Sequence, residues 1–223
     1  MALGILGSLA PACVGDGVPN DTGKVVIRPG DRVVLLGDSI TASYPWHTQF
    51  TTAINAFYNS RGLTPPTFIN SGVDGDATND IDVQTRVIDH DPDVLIYGPM
   101  GFNDVGNIAE ETSATQYAAT WDASLAALPG LRTLGISPWV RLTPGQGTDS
   151  GHIAAFQSLR TVFAGICRDR GIPFVDVRAY WDRANYTQSQ QLALNADGAH
   201  PTDPLGRALI SSHVLFQTNM RTE

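Results

Sequence analysis

Two kinds of apolar pattern alternate along the chain. Short runs of consecutive apolar residues, many of them β-branched, are typical of strands that are buried on both faces of a parallel sheet. They predict strands at residues 32–37, 67–70, 93–98, 131–136 and 174–177. In longer segments the apolar residues recur every three or four positions, as they do on one face of a helix. These segments predict helices at residues 45–60, 77–89, 112–128, 152–170 and 203–220.

The alternation of strands and helices determines the expected architecture. Parallel strands joined by helices form a sheet with a helical layer on each face, and the crossovers are right-handed. We therefore predict an α/β fold, a three-layer α/β/α sandwich around a five-stranded parallel sheet. A length of 223 residues suits one domain, which we place at residues 31–223. Residues 1–30 are rich in Gly, Pro, Asp and Asn and predict an irregular N-terminal extension.

The net negative charge argues against two classes of binding partner. The chain has 14 Lys and Arg residues against 22 Asp and Glu residues, a net charge of -8. This argues against nucleic acid and against an anionic membrane surface as partners, because both attract basic proteins. No apolar run approaches the roughly 20 residues that a membrane-spanning helix needs.

Neither the N-terminus nor the cysteines identify a compartment. The apolar segment at residues 1–10 has no Lys or Arg before it, so a cleavable secretion signal is the less favoured interpretation. The location stays open between cytoplasmic and secreted. Cys13 and Cys167 are too far apart for a CxxC redox or zinc motif, and one disulfide is the most that they allow.

We expect the functional residues just beyond the carboxyl ends of the strands, where open parallel sheets bind their ligands. Polar segments follow three of the predicted strands, and a fourth lies near the C-terminus, at residues 37–41, 70–76, 98–104 and 197–201. Each segment contributes a group that acyl transfer requires. We expect the sheet to bring all four segments to one edge.

Three of these residues have the character of a catalytic triad. Ser39 stands at a strand-to-helix turn, where its hydroxyl is exposed and backbone N–H groups can face a developing anion. A serine becomes a nucleophile when an imidazole removes its proton, and His200 is the candidate base. Asp197 would fix the tautomer of His200 and stabilise the imidazolium. The candidate donors of an oxyanion hole are the N–H of Ser39, the N–H of a glycine after the second strand, and the side-chain amide of Asn103.

Four motifs in this order resemble the SGNH hydrolases of the GDSL esterase/lipase superfamily. They are Gly-Asp-Ser at 37–39, the segment from Asn70 to Gly75, Gly101-x-Asn103-Asp104, and Asp197-x-x-His200-Pro201. The resemblance implies a flavodoxin-like fold and ester hydrolysis by Ser39, Asp197 and His200 without metal or cofactor. It also implies that Gly75 is the second oxyanion donor. The competing glycine, Gly72, is then interpreted as a turn residue with a positive φ.

Each motif also has a plain structural interpretation when it is taken alone. Ser39 can cap a helix, Asn103 with Asp104 can form a turn, and His200 can lie in a surface loop. The joint occurrence of four motifs in order favours catalysis. The acids at positions 74, 76, 80 and 82 lack the spacing of a calcium-binding EF-hand and are interpreted as solvated residues at a helix start. The other histidines, His47, His90, His152 and His213, are assigned to structure or surface.

The expected activity is hydrolysis of a carboxylic ester through an acyl-enzyme on Ser39. The sequence shows no lid insertion, which favours short acyl groups, acetyl to butyryl, on a small-molecule or carbohydrate ester. Trp139 and Arg141, in a Gly- and Pro-rich loop at residues 137–150, are candidates for the wall that holds the leaving group. The alternatives are a longer-chain lipase or thioesterase, an acyltransferase, and a non-catalytic binding module. The oligomeric state is left open.

Overall fold

Strands and helices alternate throughout the computed structural model, which describes residues 23–139, 150–177, 179, 190, 193–195 and 200–223. In chain order the elements are β1 (Val25–Ile27), β2 (Arg32–Gly37), α1 (Ser39–Ala42), α2 (His47–Asn59), β3 (Thr67–Gly72), α3 (Val83–Arg86), β4 (Val94–Tyr97), α4 (Glu110–Ala127), β5 (Arg132–Ile136), α5 (Ser150–Asp169), β6 (Phe174–Val175), α6 (Leu205–Phe216) and β7 (Thr218–Met220). Two 3-10 helices, Thr78–Asp80 and Ile88–His90, flank α3.

The main sheet has five parallel strands in the order β3-β2-β4-β5-β6. This is the flavodoxin-like order, in which the chain reverses direction across the sheet beside its first strand. The register pairs Gly37 with Gly72 and Leu36 with Tyr97. The carboxyl ends of β2, β3 and β4 therefore meet at one edge. The predicted fold class and the five-stranded parallel sheet are confirmed.

Alternate residues of the strands pack into two separate cores, because successive side chains of a strand point to opposite faces. Val33 and Leu35 of β2 pack with α2 and α6, and Val34 and Leu36 pack with α4 and α5. The two cores are the interfaces between the three layers. None of the helices in the described part of the chain is long and apolar enough to cross a membrane.

The prediction of a single helix at residues 77–89 is wrong. The segment is broken into the 3-10 helix Thr78–Asp80, the four-residue α3 and the 3-10 helix Ile88–His90. Asp side chains cause the breaks, because they satisfy backbone N–H groups that a continuous helix would bond internally. Asp80 accepts a hydrogen bond from the N–H of Ala77, and Asp82 accepts from the N–H groups of Gln84 and Thr85.

A second, two-stranded sheet was not predicted. Residues 25–27, assigned from the sequence to an irregular extension, form β1, and residues 218–220, assigned to the end of a helix, form β7. The two strands pair in parallel, with Val25 opposite Thr218. Val25 and Ile27 are buried in the core of the α2 and α6 face. A three-residue strand whose partner lies near the other end of the chain has no local periodicity that could reveal it.

Candidate active site

Ser39 is the first residue of α1, and one residue, Asp38, separates it from the end of β2. The carboxylate of Asp38 caps this helix by accepting from the N–H of Ile40 at 2.9 Å. The N–H of Ser39 has no acceptor within the helix, because the first residues of a helix lack a preceding turn. A glycine is required at position 37, since a Cβ there would lie 2.3 Å from the Thr41 hydroxyl oxygen. The turn thus presents both the hydroxyl and the N–H of Ser39 at the end of the sheet.

The structure brings His200 to Ser39 although 161 positions separate them. The distance between Ser39 Oγ and His200 Nε2 is 3.0 Å, which is a hydrogen bond. Two hydrogen bonds of Thr202 hold the chain just after His200 against residues 193–194. Its N–H donates to the Leu194 carbonyl at 2.9 Å, and its hydroxyl donates to the Ala193 carbonyl at 2.5 Å. The imidazole is therefore placed to take the hydroxyl proton of Ser39.

Tyr44 is a site residue that the sequence analysis missed. Its ring lies parallel to the imidazole of His200, with 3.9 Å between ring centroids and 12° between planes. Phe102 approaches the same imidazole at 6.3 Å in a tilted arrangement. The N–H of Tyr44 donates to the Ser39 carbonyl at 3.0 Å, so the turn that carries Ser39 also positions this ring. No local pattern marks the residue, because its neighbour His200 is remote in sequence.

The positive φ predicted for Gly72 is wrong. Gly72 does not have a positive φ: it is the last residue of β3, and a Cβ there would lie 2.4 Å from the Ala42 nitrogen. It is a glycine because the backbone of α1 packs directly against it. The positive φ belongs to Gly75, at 84°. A Cβ at Gly75 would meet no atom within 4 Å.

The side chain of Asn103 is held in a defined orientation. Its Nδ2 donates to the carbonyl oxygen of Asp76 at 2.8 Å, and the backbone carbonyl of Asn103 accepts from Asn107 Nδ2 at 2.6 Å. An amide nitrogen has two hydrogens, so a second N–H of Asn103 is available to an oxyanion. Asp76 directly follows Gly75, and the contact therefore ties the Asn103 amide to the loop that carries this glycine.

Of the acids that the sequence analysis interpreted as solvated, Asp74, Asp80 and Asp82 are exposed, whereas Asp76 is largely buried. Asp76 forms an ion pair with Arg86, and its side chain is only 15 % exposed. Asp74 accepts from the Ser43 hydroxyl at 2.6 Å, and Asp80 accepts from a backbone N–H. Within the described part of the chain, no group of three His, Cys, Asp or Glu residues could hold a metal ion. The acids instead fix the backbone between β3 and α3.

Two carboxyl groups are buried behind the Ser39 turn. Burial raises the pKa of Asp38 to about 7, the N–H of Ile40 opposes this rise, and the negative charge of Asp104 adds to it. Asp104 is fully buried and accepts hydrogen bonds from both the N–H and the hydroxyl of Thr78. Asp38 Oδ2 has no hydrogen-bond partner among the described residues.

Three candidate residues remain, namely Asp197, Arg141 and Trp139. Asp197 and Arg141 lie outside the described residues. Trp139 is 2 % exposed and packs in the core of the α2 and α6 face, which favours a structural role over one in the leaving-group wall. Cys167 is a buried free thiol, and Cys13 lies outside the described residues.

Solved structures share this fold at low sequence identity. A candidate GDSL-like lipase from Parabacteroides merdae has a TM-score of 0.74 at 19% identity, covering 87% of this chain and 98% of that one. An acetylxylan esterase from Geobacillus stearothermophilus has a TM-score of 0.72 at 18% identity, covering 86% and 95%. An alpha/beta hydrolase from the metagenome of Lake Arreo has a TM-score of 0.71 at 18% identity, covering 86% and 96%.

The sequence itself matches a protein family. A comparison with curated proteins gives no match. The model of the GDSL-like lipase/acylhydrolase family matches residues 35–205, well over half of the chain, and confirms the resemblance found in the motifs. The protein therefore belongs to the GDSL-like lipase/acylhydrolase family and is a carboxylic ester hydrolase.

Proposed function

We propose that the protein is a serine esterase that acts through an acyl-enzyme on Ser39. The observation that carries this proposal is the 3.0 Å hydrogen bond between Ser39 Oγ and His200 Nε2 at the carboxyl edge of the sheet. A nucleophile bonded to its general base is the recurring arrangement of acyl-transfer sites. In the Geobacillus acetylxylan esterase, substitutions of a serine and of an aspartate by alanine are described as catalytic mutations, which supports the proposal.

The proposed reaction has two halves. In the first, His200 takes the Ser39 proton while Oγ attacks the acyl carbon, and the imidazolium then protonates the leaving alcohol as the C–O bond breaks. In the second, His200 takes a proton from water as the water attacks the acyl-enzyme, and it returns that proton to Ser39 Oγ as the bond between Oγ and the acyl carbon breaks and the carboxylic acid is released. Asp197 is proposed to hold the neutral tautomer of His200 that accepts the proton, and to stabilise the imidazolium.

The negative charge that develops on the carbonyl oxygen needs fixed donors. We assign them to the N–H of Ser39, the N–H of Gly75 and the Asn103 amide. The open space beside Gly75 and the fixed orientation of the Asn103 amide support this assignment. Loss of one such donor lowers turnover about 10²–10³-fold in comparable sites.

Short acyl groups, acetyl to butyryl, are the proposed substrates. A long acyl chain needs a continuous apolar groove, whereas the large apolar side chains exposed among the described residues are only Val73, Leu205 and Phe216. Phe216 is further covered by the Lys24 ammonium group, 4.6 Å from its ring centroid. A carbohydrate ester is the proposed class of natural substrate, in line with the acetylxylan esterase of the same fold.

Hydrolysis of p-nitrophenyl esters from acetyl to palmitoyl tests both parts of the proposal. We expect kcat/KM to peak at acetyl to butyryl and to fall by at least about 10³-fold in Ser39→Ala. Ser212→Ala is the matched control, because this exposed serine lies in α6 and its hydroxyl donates to the Leu209 carbonyl of the same helix, and it should retain activity. Full activity in Ser39→Ala would refute the acyl-enzyme, and a peak at long chains would refute the substrate class.

A further inference from the structure

Arg86 has no role in the site described so far, yet its guanidinium group lies directly behind it. Arg86 is the last residue of α3, and its side chain is 11 % exposed. Nη2 donates to the carbonyl of Gly37 at 2.8 Å and to the carbonyl of Ser71 at 2.5 Å. Nε also donates to the Ser71 carbonyl, and Nη1 pairs with the carboxylate of Asp76. In return, the Ser71 hydroxyl donates to the Arg86 carbonyl at 2.7 Å.

These acceptors belong to the segments that carry the proposed oxyanion donors. Gly37 ends β2, two residues before Ser39. Ser71 lies in β3, and Asp76 directly follows Gly75. The carbonyl of Asp76 holds the Asn103 amide at 2.8 Å. One guanidinium therefore connects the backbone on either side of the site, and it reaches the third donor through Asp76.

The chemistry of arginine suits this task. A nearly buried cation is costly unless it is paired and hydrogen-bonded, and here every nitrogen of the guanidinium has a partner. The planar fork of five N–H groups imposes fixed directions on its acceptors, which the single ammonium of lysine cannot do. Oxyanion donors are effective only when they are held in position before the charge develops.

We propose that Arg86 is a positioning residue that sets the geometry of the oxyanion hole by clamping β2, β3 and Asp76 together. This inference rests on the proposed function of Ser39 as nucleophile. Arg86 does not touch the substrate and acts through the backbone of the three donor segments.

Arg86→Lys tests the clamp, because it keeps the positive charge and removes the fork. We expect kcat on p-nitrophenyl acetate to fall about 10- to 100-fold, as misplacement of catalytic groups by less than 1 Å can do. The KM should change by less than about threefold. The inhibition constant of propylboronic acid, whose tetrahedral adduct on serine resembles the transition state, should rise by a factor similar to the loss in kcat.

Arg132→Lys is the matched control. Arg132 also forms a largely buried pair with an aspartate, through two contacts to Asp31 of 2.7 and 2.8 Å, but it lies at the amino end of β5, away from the site. We expect it to lower the Tm while kcat stays within about twofold. If Arg86→Lys behaves like this control, with a lower Tm and an unchanged kcat, the clamp is refuted and Arg86 is purely structural.

Asp76→Asn provides a second variant if Arg86→Lys does not fold. It keeps the side-chain volume and the backbone carbonyl while it removes the charge that Nη1 contacts. A smaller loss in kcat, matched by weaker boronic acid binding, is expected, and an unchanged kcat would overturn the clamp. The same assay on Ser39→Ala separates the two claims, because activity in that variant refutes the nucleophile, whereas an inactive Ser39→Ala with a normal Arg86→Lys refutes only the clamp.

Discussion

At the scale of residues, His200 can take the proton of Ser39 only while its imidazole keeps the orientation that points Nε2 at Oγ. The ring of Tyr44 stacks on this imidazole. The parallel rings, 3.9 Å apart, restrict rotation of the imidazole about its Cβ–Cγ bond. Stacked aromatic pairs contribute about 0.5–1.5 kcal/mol beyond their buried area. The contact can therefore hold Nε2 towards Ser39 Oγ between turnovers.

Tyr44→Leu should lower kcat roughly 2- to 10-fold, the factor that corresponds to the loss of such a contact. Tyr44→Phe keeps the ring and should retain nearly full activity. Because the effect acts on the base, the loss should be similar for acetyl and butyryl esters and for the rate at which a fluorophosphonate labels Ser39. A loss confined to KM, or to one ester, would instead make Tyr44 a wall of the substrate pocket.

Burial raises the pKa of Asp38 from 3.8 to about 7, so the stability of the protein should depend on pH through this group. Between about pH 4 and pH 7 the unfolded carboxyl loses its proton while the folded one keeps it. The free energy of unfolding contributed by this group therefore falls as the pH rises through that window, by roughly 4 kcal/mol at most, and levels off above it. Asp38→Asn removes this dependence.

Denaturant titrations at several pH values measure this effect. The stability of Asp38→Asn relative to the native protein should increase from pH 4 to pH 7. Asp122→Asn is the control of opposite sign, because the hydrogen bond from Arg170 lowers the pKa of Asp122, so that its stabilisation is lost as the pH falls. A relative stability of Asp38→Asn that does not change with pH would contradict the raised pKa.

At the scale of elements, the strands with continuous apolar runs were predicted within two residues of their ends, whereas short paired elements were not. The apolar run predicts β2 directly, because a strand that is buried on both faces is apolar at nearly every position. β1 and β7 have only three residues each, and they depend on each other across the chain. The apolar spacing of the segment after Gly75 predicted one helix. Asp80 and Asp82 instead accept hydrogen bonds from backbone N–H groups, which divides the segment into short helices.

Candidate site residues differ in the same way in whether a sequence motif marks them. Ser39, Asn103 and His200 belong to motifs that follow strands or precede the last helix, so sequence order and topology locate them. Tyr44 and Arg86 act through contacts with residues that are remote in sequence or lie in the backbone. No motif or periodicity marks such contacts, and only the folded chain shows them.

The β1–β7 pair should contribute measurably to stability. Truncation after Gln217 removes β7, exposes Val25 and Ile27, and deletes the hydrogen bond from the Arg221 N–H to the Ile27 carbonyl. Loss of burial costs up to about 1.5–3 kcal/mol per aliphatic side chain, so we expect the Tm to fall by roughly 5 °C or more in a chain of this size.

Truncation after Arg221 is the control for this prediction, because it removes only two exposed residues and keeps the strand. Thermal unfolding followed by circular dichroism compares the two truncations with the full chain. An unchanged Tm after removal of residues 218–223 would show that the second sheet does not stabilise the fold.

At the scale of the whole molecule, the parallel sheet gathers groups from distant parts of the chain at one edge. The carboxyl ends of β2 and β3 are in register at Gly37 and Gly72, and β4 leads into the segment that holds Asn103. The segment before α6 then adds His200. Behind this edge, Arg86 connects the ends of β2 and β3. The proposed catalytic arrangement is in this sense a property of the sheet, since Ser39, Gly75, Asn103 and His200 come from four separate segments.

Ser39 is proposed to form the covalent intermediate, and fluorophosphonate labelling followed by peptide mass spectrometry is the direct test of this role. The serine oxygen displaces fluoride from phosphorus and keeps the phosphonyl group, so the modified residue can be read from the peptide mass. We predict one adduct, on Ser39, that forms far more slowly in His200→Gln. An adduct on another residue, or none on a protein that still hydrolyses esters, would show that Ser39 is not the nucleophile.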